Sequence, residues 1–155
     1  MREQIMDAVK TAMKSGDKRR LSTLRLIQAA IKDRDIAARV DAKGQSTGND
    51  KIDDGELLQL LQKMIKQRRD SIKMYAEAGR TELAEQEQSE IEIIEEYLPK
   101  QMSEDEVAAA VGDVVKELGA AGLKDMGRTM AALKERYAGQ MDFGKASGIV
   151  KANLT

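Results

Sequence analysis

The chain has 155 residues, with 26 basic and 27 acidic side chains but no cysteine and no histidine. Those two absences remove disulfides, thiolate catalysis, sulfur- or imidazole-ligated metal, and the side chain that most often moves protons near neutral pH. A hydrophobic share of 41 % beside a charged share of 34 % fits helices with narrow apolar stripes, in one domain or two small ones. No long uncharged apolar run and no secretory-type leader is present, so the expectation is a cytoplasmic protein with no membrane span, metal or cofactor.

Ile5, Val9, Ala12 and Met13 recur at helical spacing before Gly16, which predicts a first helix closed by glycine. Asp17 is placed to cap a second helix whose buried stripe is Leu21, Leu24, Ile27 and Ile31, widened by Ala30 and Ala38. On another face Lys18, Arg25, Lys32 and Arg39 follow at seven-residue intervals and form one line that drifts slowly around the helix. Residues 41–51 are rich in Gly, Ser, Asn and Asp, match neither a phosphate-cradling loop nor an EF-hand, and read as a mobile surface loop.

Asp53 and Glu56 form a capping box, with Ile52 and Leu57 as its hydrophobic staple. The long third helix that follows carries Leu57, Leu60, Leu61, Met64, Ile72 and Tyr75 on one stripe and stops at Gly79. Arg68 interrupts the stripe, which predicts a structural ion pair with a carboxylate of the fourth helix; Glu87 is the first choice because it shares the seam of Leu83, Ile91, Ile94 and Leu98. The acids from Glu82 to Glu96 complement the basic early helices.

Pro99 is the only proline. It has no N–H and clashes with the preceding turn, so Tyr97, Leu98 and Pro99 read as a hinge. A new helix starts almost at once, with Ser103 and Glu106 as capping box and Met102 and Val107 as staple. Three short helices follow, punctuated by Gly119, Gly122, Gly139 and Gly144, with Asp125 and Asp142 as caps of the last two. The expected fold is all-α: an elongated N-terminal helical bundle or hairpin lobe over residues 1–98, then a small three-helix lobe over 99–155.

Three runs carry a resemblance: Gln67-Arg68-Arg69-Asp70-Ser71-Ile72, Tyr97-Leu98-Pro99-Lys100-Gln101 and Lys124-Asp125-Met126-Gly127-Arg128. In this order and spacing the chain resembles the GatB/YqeY family of small bacterial cytoplasmic proteins. The resemblance implies that the C-terminal lobe is similar to the tail domain of the tRNA-dependent amidotransferase B subunit, a carbon-nitrogen ligase that takes its amido group from glutamine and whose tail helps to hold tRNA. It carries the tail motif onto Lys124, Gly127 and Arg128, and later Gly139, Asp142, Ser147 and Lys151; the sequence departs from the motif at Phe143-Gly144.

The catalytic parts of that enzyme, a Ser/Ser/Lys segment and a large ATP-using body, have no counterpart here. The expectation is therefore a non-catalytic, tRNA- or RNA-associated accessory module, with Lys124, Gly127, Arg128, Lys134 and Lys151 as candidate nucleic-acid-binding residues. Aromatic residues make up only 3 %, so binding would rest on phosphate charge and shape instead of base stacking. The alternative is a protein-interaction adaptor that docks an aminoacyl-tRNA or amidotransferase-related partner. A carboxylate-only enzyme built on Asp70 and Glu87 is the third class, although charged pairs between packed helices need the same residues and perform no chemistry.

Overall fold

A computed structural model describes all residues, Met1–Thr155. It is all-α, with seven helices and no strand: α1 (Arg2–Ser15), α2 (Lys18–Ala38), α3 (Asp54–Glu77), α4 (Thr81–Glu95), α5 (Glu104–Leu118), α6 (Met126–Arg136) and α7 (Phe143–Leu154). None is long and apolar enough to cross a membrane. The chain divides into two compact units, Met1–Leu98 and Pro99–Thr155.

In the first unit, local chemistry sets the helix ends. The Asp17 carboxylate accepts the Arg20 N–H, and Asp53 and Glu56 complete a reciprocal capping box. At the end of α3, Gly79 has φ +70; the Arg80 N–H reaches the Tyr75 carbonyl and the Gly79 N–H that of Ala76. These are the two bonds of a Schellman closure, which needs a left-handed residue and therefore favours glycine.

The core of this unit joins Ile5 and Ala12 of α1, Leu24, Ile27 and Ile31 of α2, Leu57, Leu60, Leu61, Met64 and Ile65 of α3, and Ile91, Ile93 and Ile94 of α4. Each fully buried aliphatic side chain contributes about 1.5–3 kcal/mol relative to exposure. Two stripes are broader than periodicity alone predicts. Helix α4 packs against both α3 and α2, so Ile93 is buried beside Ile94; Ile65 is likewise buried beside Met64. Met13 goes the other way and is exposed, because α1 packs on α2 alone and needs only a narrow apolar stripe.

The segment 41–51 is exposed throughout but is not featureless. Val40 and Ser46 form an isolated antiparallel bridge, and the Asp41 carboxylate accepts the N–H groups of Lys43 and Gln45 at 2.8 and 2.9 Å. The Thr47 hydroxyl donates to the Ala38 carbonyl. An aspartate that captures nearby N–H groups makes a compact turn where the sequence alone reads as loop.

The second unit packs α5, α6 and α7 against one another around Val107, Ala110, Val111, Val114, Leu133, Met141, Ala146, Val150 and Leu154. Ser103 and Glu106 form the capping box of α5. The segment leading into α5 is held down as well: the Gln101 side chain donates to the Gly139 carbonyl at 2.6 Å, and the Met102 N–H to the Gln140 carbonyl at 2.8 Å.

Candidate nucleic-acid interface

Helix α6 is entered through one 3₁₀ turn, Leu123–Asp125. Asp125 was expected to cap the helix, yet its side chain makes no capping bond. The carboxylate instead accepts the Ala121 N–H at 2.9 Å and Arg128 Nε at 3.0 Å, while the Thr129 hydroxyl donates to its carbonyl at 2.8 Å. The Ala121 bond first, and then the Arg128 bond, hold the Asp125 carboxyl below the usual aspartate range. Its negative charge sits where a phosphate would approach the helix start, and the Met126 N–H is already given to the Leu123 carbonyl. The helix terminus is therefore a poorer anion site than its sequence implies.

The outer faces of α6 and α7 offer more. Asp125 to Lys134 reads D-M-G-R-T-M-A-A-L-K, and Asp142 to Lys151 reads D-F-G-K-A-S-G-I-V-K. The two segments share one layout. Gly127, Arg128, Ala131 and Lys134 are exposed on α6, as are Gly144, Lys145, Gly148 and Lys151 on α7, whereas Thr129, Leu133, Ala146 and Val150 are buried. Each helix thus repeats a small residue, a cation, a small residue and a lysine toward solvent. The offset of the repeat was readable in the sequence, but Gly144 looks like punctuation until α7 is seen to run through it.

A side chain at Gly127 or Gly148 would meet nothing within 4 Å. Glycine inside a helix costs about 0.5–1 kcal/mol relative to alanine, and here no packing contact explains that cost. What the glycines leave is bare helix backbone beside lysines, a surface that another backbone can approach closely.

Two of the cations are already occupied: Arg128 by Asp125 and Arg136 by Glu117, the latter at 2.6 and 3.0 Å. Lys124, Lys134, Lys145 and Lys151 are exposed and make no ion pair. The candidate nucleic-acid-binding residues named from sequence are therefore all at the surface of one unit, but only the lysines among them make no ion pair; Lys145 shares that exposure without standing among those candidates.

The remaining singled-out residues lie in the first unit, apart from Pro99. Arg68 donates through Nε to Glu90 at 2.9 Å and through a terminal nitrogen to the Met64 carbonyl at 3.1 Å. Glu87, the partner expected from the seam, stands 4.0 Å from Nε. All three side chains are less than a quarter exposed. Desolvation first, then repulsion from Glu90, pushes the Glu87 carboxyl above its usual range, against the pull of Arg68. Asp70 is exposed and outside this cluster. Tyr97 and Leu98 are half-buried against the first unit's core, and burial raises the Tyr97 phenol. Pro99 is exposed at the start of the second unit.

The family model described as "Yqey-like protein" matches residues 2–154. A protein of Lachancea thermotolerans named "Altered inheritance of mitochondria protein 41, mitochondrial" is 38 % identical over 71 % of this chain and 55 % of its own length. Proteins with the same name from Pyrenophora tritici-repentis and Kluyveromyces lactis are 32 % and 34 % identical, over 83 % and 71 % of this chain and 68 % and 56 % of their own lengths. The chain thus spans little more than half the length of most of these curated relatives. They correct one expectation: the relatives are fungal and named as mitochondrial, which overturns the reading of a bacterial, cytoplasmic protein. Matched over nearly its whole length, the chain belongs to the YqeY-like family, whose domain is the one found at the C-terminus of the amidotransferase B subunit.

Proposed function

We propose that this YqeY-like protein is a non-catalytic accessory module that holds tRNA, or an RNA of similar shape, on the outer faces of α6 and α7. The observation that carries the reading is the repeated exposed set on those two packed helices, Gly127, Arg128, Ala131 and Lys134 beside Gly144, Lys145, Gly148 and Lys151. Unpaired lysines attract phosphate without demanding a base sequence. The open glycines let a sugar-phosphate chain come close, and the scarcity of aromatics leaves shape and charge as the means of recognition. Kinship with an amidotransferase tail supports tRNA as the RNA class.

The test is titration of fluorescent tRNA with the full chain at low salt. Lys134→Glu with Lys151→Glu should abolish binding, whereas Lys10→Glu with Lys14→Glu on α1 should leave it. These lysines are chosen over Arg128, whose reversal would also set two acids against each other at the 3₁₀ turn. Equal binding by the first pair and the unchanged protein would refute the assignment.

A further inference from the structure

The solvent face of α2 carries features that neither the core nor the RNA reading uses. Ser22, Leu26, Ala29, Asp33 and Ile36 follow in alternating steps of four and three residues, and all five are exposed, Leu26 and Ile36 at 47 % each. They lie half a turn around the helix from the core-facing Leu24, Ile27 and Ile31. Such a narrow stripe is the pattern of a coiled-coil seam, with Leu26 and Asp33 at a and Ser22, Ala29 and Ile36 at d.

In that register Lys18, Arg25, Lys32 and Arg39 all fall at g, the flank that selects a partner by charge. All four are exposed, and none makes an ion pair or a side-chain hydrogen bond. Elsewhere in this unit Arg2, Arg20, Arg68 and Arg69 each hold a carboxylate. A shallow hollow lined by Lys18, Leu21, Ser22, Arg25 and Leu26 lies on the same face. In that register its lining is g (Lys18 and Arg25), c (Leu21), d (Ser22) and a (Leu26), so the hollow runs along the basic flank of the seam.

We infer that the outer face of α2 docks an acidic amphipathic helix of another protein, by knobs-into-holes packing along Leu26 and Ile36 with carboxylates against the four cations. Charge complementarity selects this occupant. A second copy of α2 offers those cations no carboxylates: an antiparallel pair sets g cations against g cations and repels itself, and a parallel pair sets them against Thr23, Ala30 and Ala37 at e. A lipid surface favours a broad apolar face with aromatic anchors; this seam is narrow, has no aromatic and carries Asp33 at its middle. A phosphate backbone gains nothing from Leu26 and Ile36.

The probe is a synthetic four-heptad peptide with Leu at a and d, one central Asn at a, and Glu at e and g, labelled for anisotropy and titrated with the full-length protein. The acidic peptide should bind, and the same peptide with Lys at e and g should not. Arg25→Glu with Lys32→Glu should weaken binding about tenfold or more, and Leu26→Ala with Ile36→Ala by a similar factor, with unchanged melting curves. Lys134→Glu with Lys151→Glu should leave peptide binding intact, which separates this surface from the RNA face. No binding of the acidic peptide at low salt, or equal binding by the charge-reversed protein, overturns the inference. So does phosphatidylserine vesicle or RNA binding that is as tight as peptide binding and is lost in the Arg25→Glu, Lys32→Glu protein.

Discussion

Arg2 and Asp35 form a two-pronged ion pair, with guanidinium nitrogens 2.6 and 2.8 Å from the two carboxylate oxygens. The pair does more than join α1 to α2. Asp35 also accepts the Ile52 N–H at 2.9 Å, and Arg2 donates to the Ile52 carbonyl at 3.0 Å. One clasp thereby binds the start of α1, the last turns of α2 and the residue that leads into α3. Ile52 itself is buried as the staple of the α3 cap.

The clasp predicts a specific acid sensitivity. The Arg2 hydrogen bonds lower the Asp35 carboxyl from 3.8 to about 2. A carboxyl depressed in the folded state stabilises it above the unfolded value, and that contribution is lost as pH falls from about 4 through about 2. Asp35→Asn should cost about 1–3 kcal/mol at pH 7 and flatten this acid limb. Denaturant unfolding of both proteins between pH 2 and 7 measures it; parallel curves would contradict the role given to the pair.

Glu87 and Glu90 should respond in opposite directions. Glu90 holds Arg68, whereas Glu87 is raised by desolvation and by Glu90. For a raised carboxyl the sign reverses: its stabilising contribution is present at low pH and is lost as pH rises through the elevated value. Glu87→Gln should therefore raise stability at pH 7, and Glu90→Gln should lower it by about 1–2 kcal/mol. Thermal melts of the two variants settle the order, and a loss on Glu87→Gln as large as that on Glu90→Gln would reject it.

Proteolysis should find residues 41–51 first. That segment is exposed at every position, while Tyr97 and Leu98 are half-buried on the first unit's core. Early fragments by mass spectrometry should end between Asp41 and Lys51; first cuts at Tyr97 to Lys100 would contradict this. Because Leu98 is only half-buried, Leu98→Ala should cost about 1–2 kcal/mol, below the range for a fully enclosed leucine.

Much of the fold was legible because it rests on local chemistry. The Asp53 and Ser103 caps, the glycine stops at 16, 79 and 119, and the stripe of α2 depend on neighbours within one or two turns. What was hidden depends on partners. Ile93 is buried because α4 has two neighbouring helices, which periodicity within α4 does not reveal. Glu87 and Glu90 are three residues apart on one face, so spacing alone does not choose which of them Arg68 takes. Asp125 has the sequence of a cap, but the 3₁₀ turn before α6 turns its carboxylate to Ala121 and Arg128. The repeat that equates Lys134 with Lys151 was in plain view, and it gained meaning only once both lysines were seen beside open glycines on packed helices.

The salt dependence of tRNA binding by the full-length protein tests the RNA assignment most directly. If the exposed lysines of α6 and α7 neutralise about three phosphates, the single-strand coefficient gives a slope near −2 for log affinity against log salt. A fourfold rise in salt should then weaken binding about 20-fold, and Lys134→Glu with Lys151→Glu should remove the binding from which that slope is measured. Failure of the unchanged protein to bind tRNA at low salt, or a slope near zero, would contradict the account.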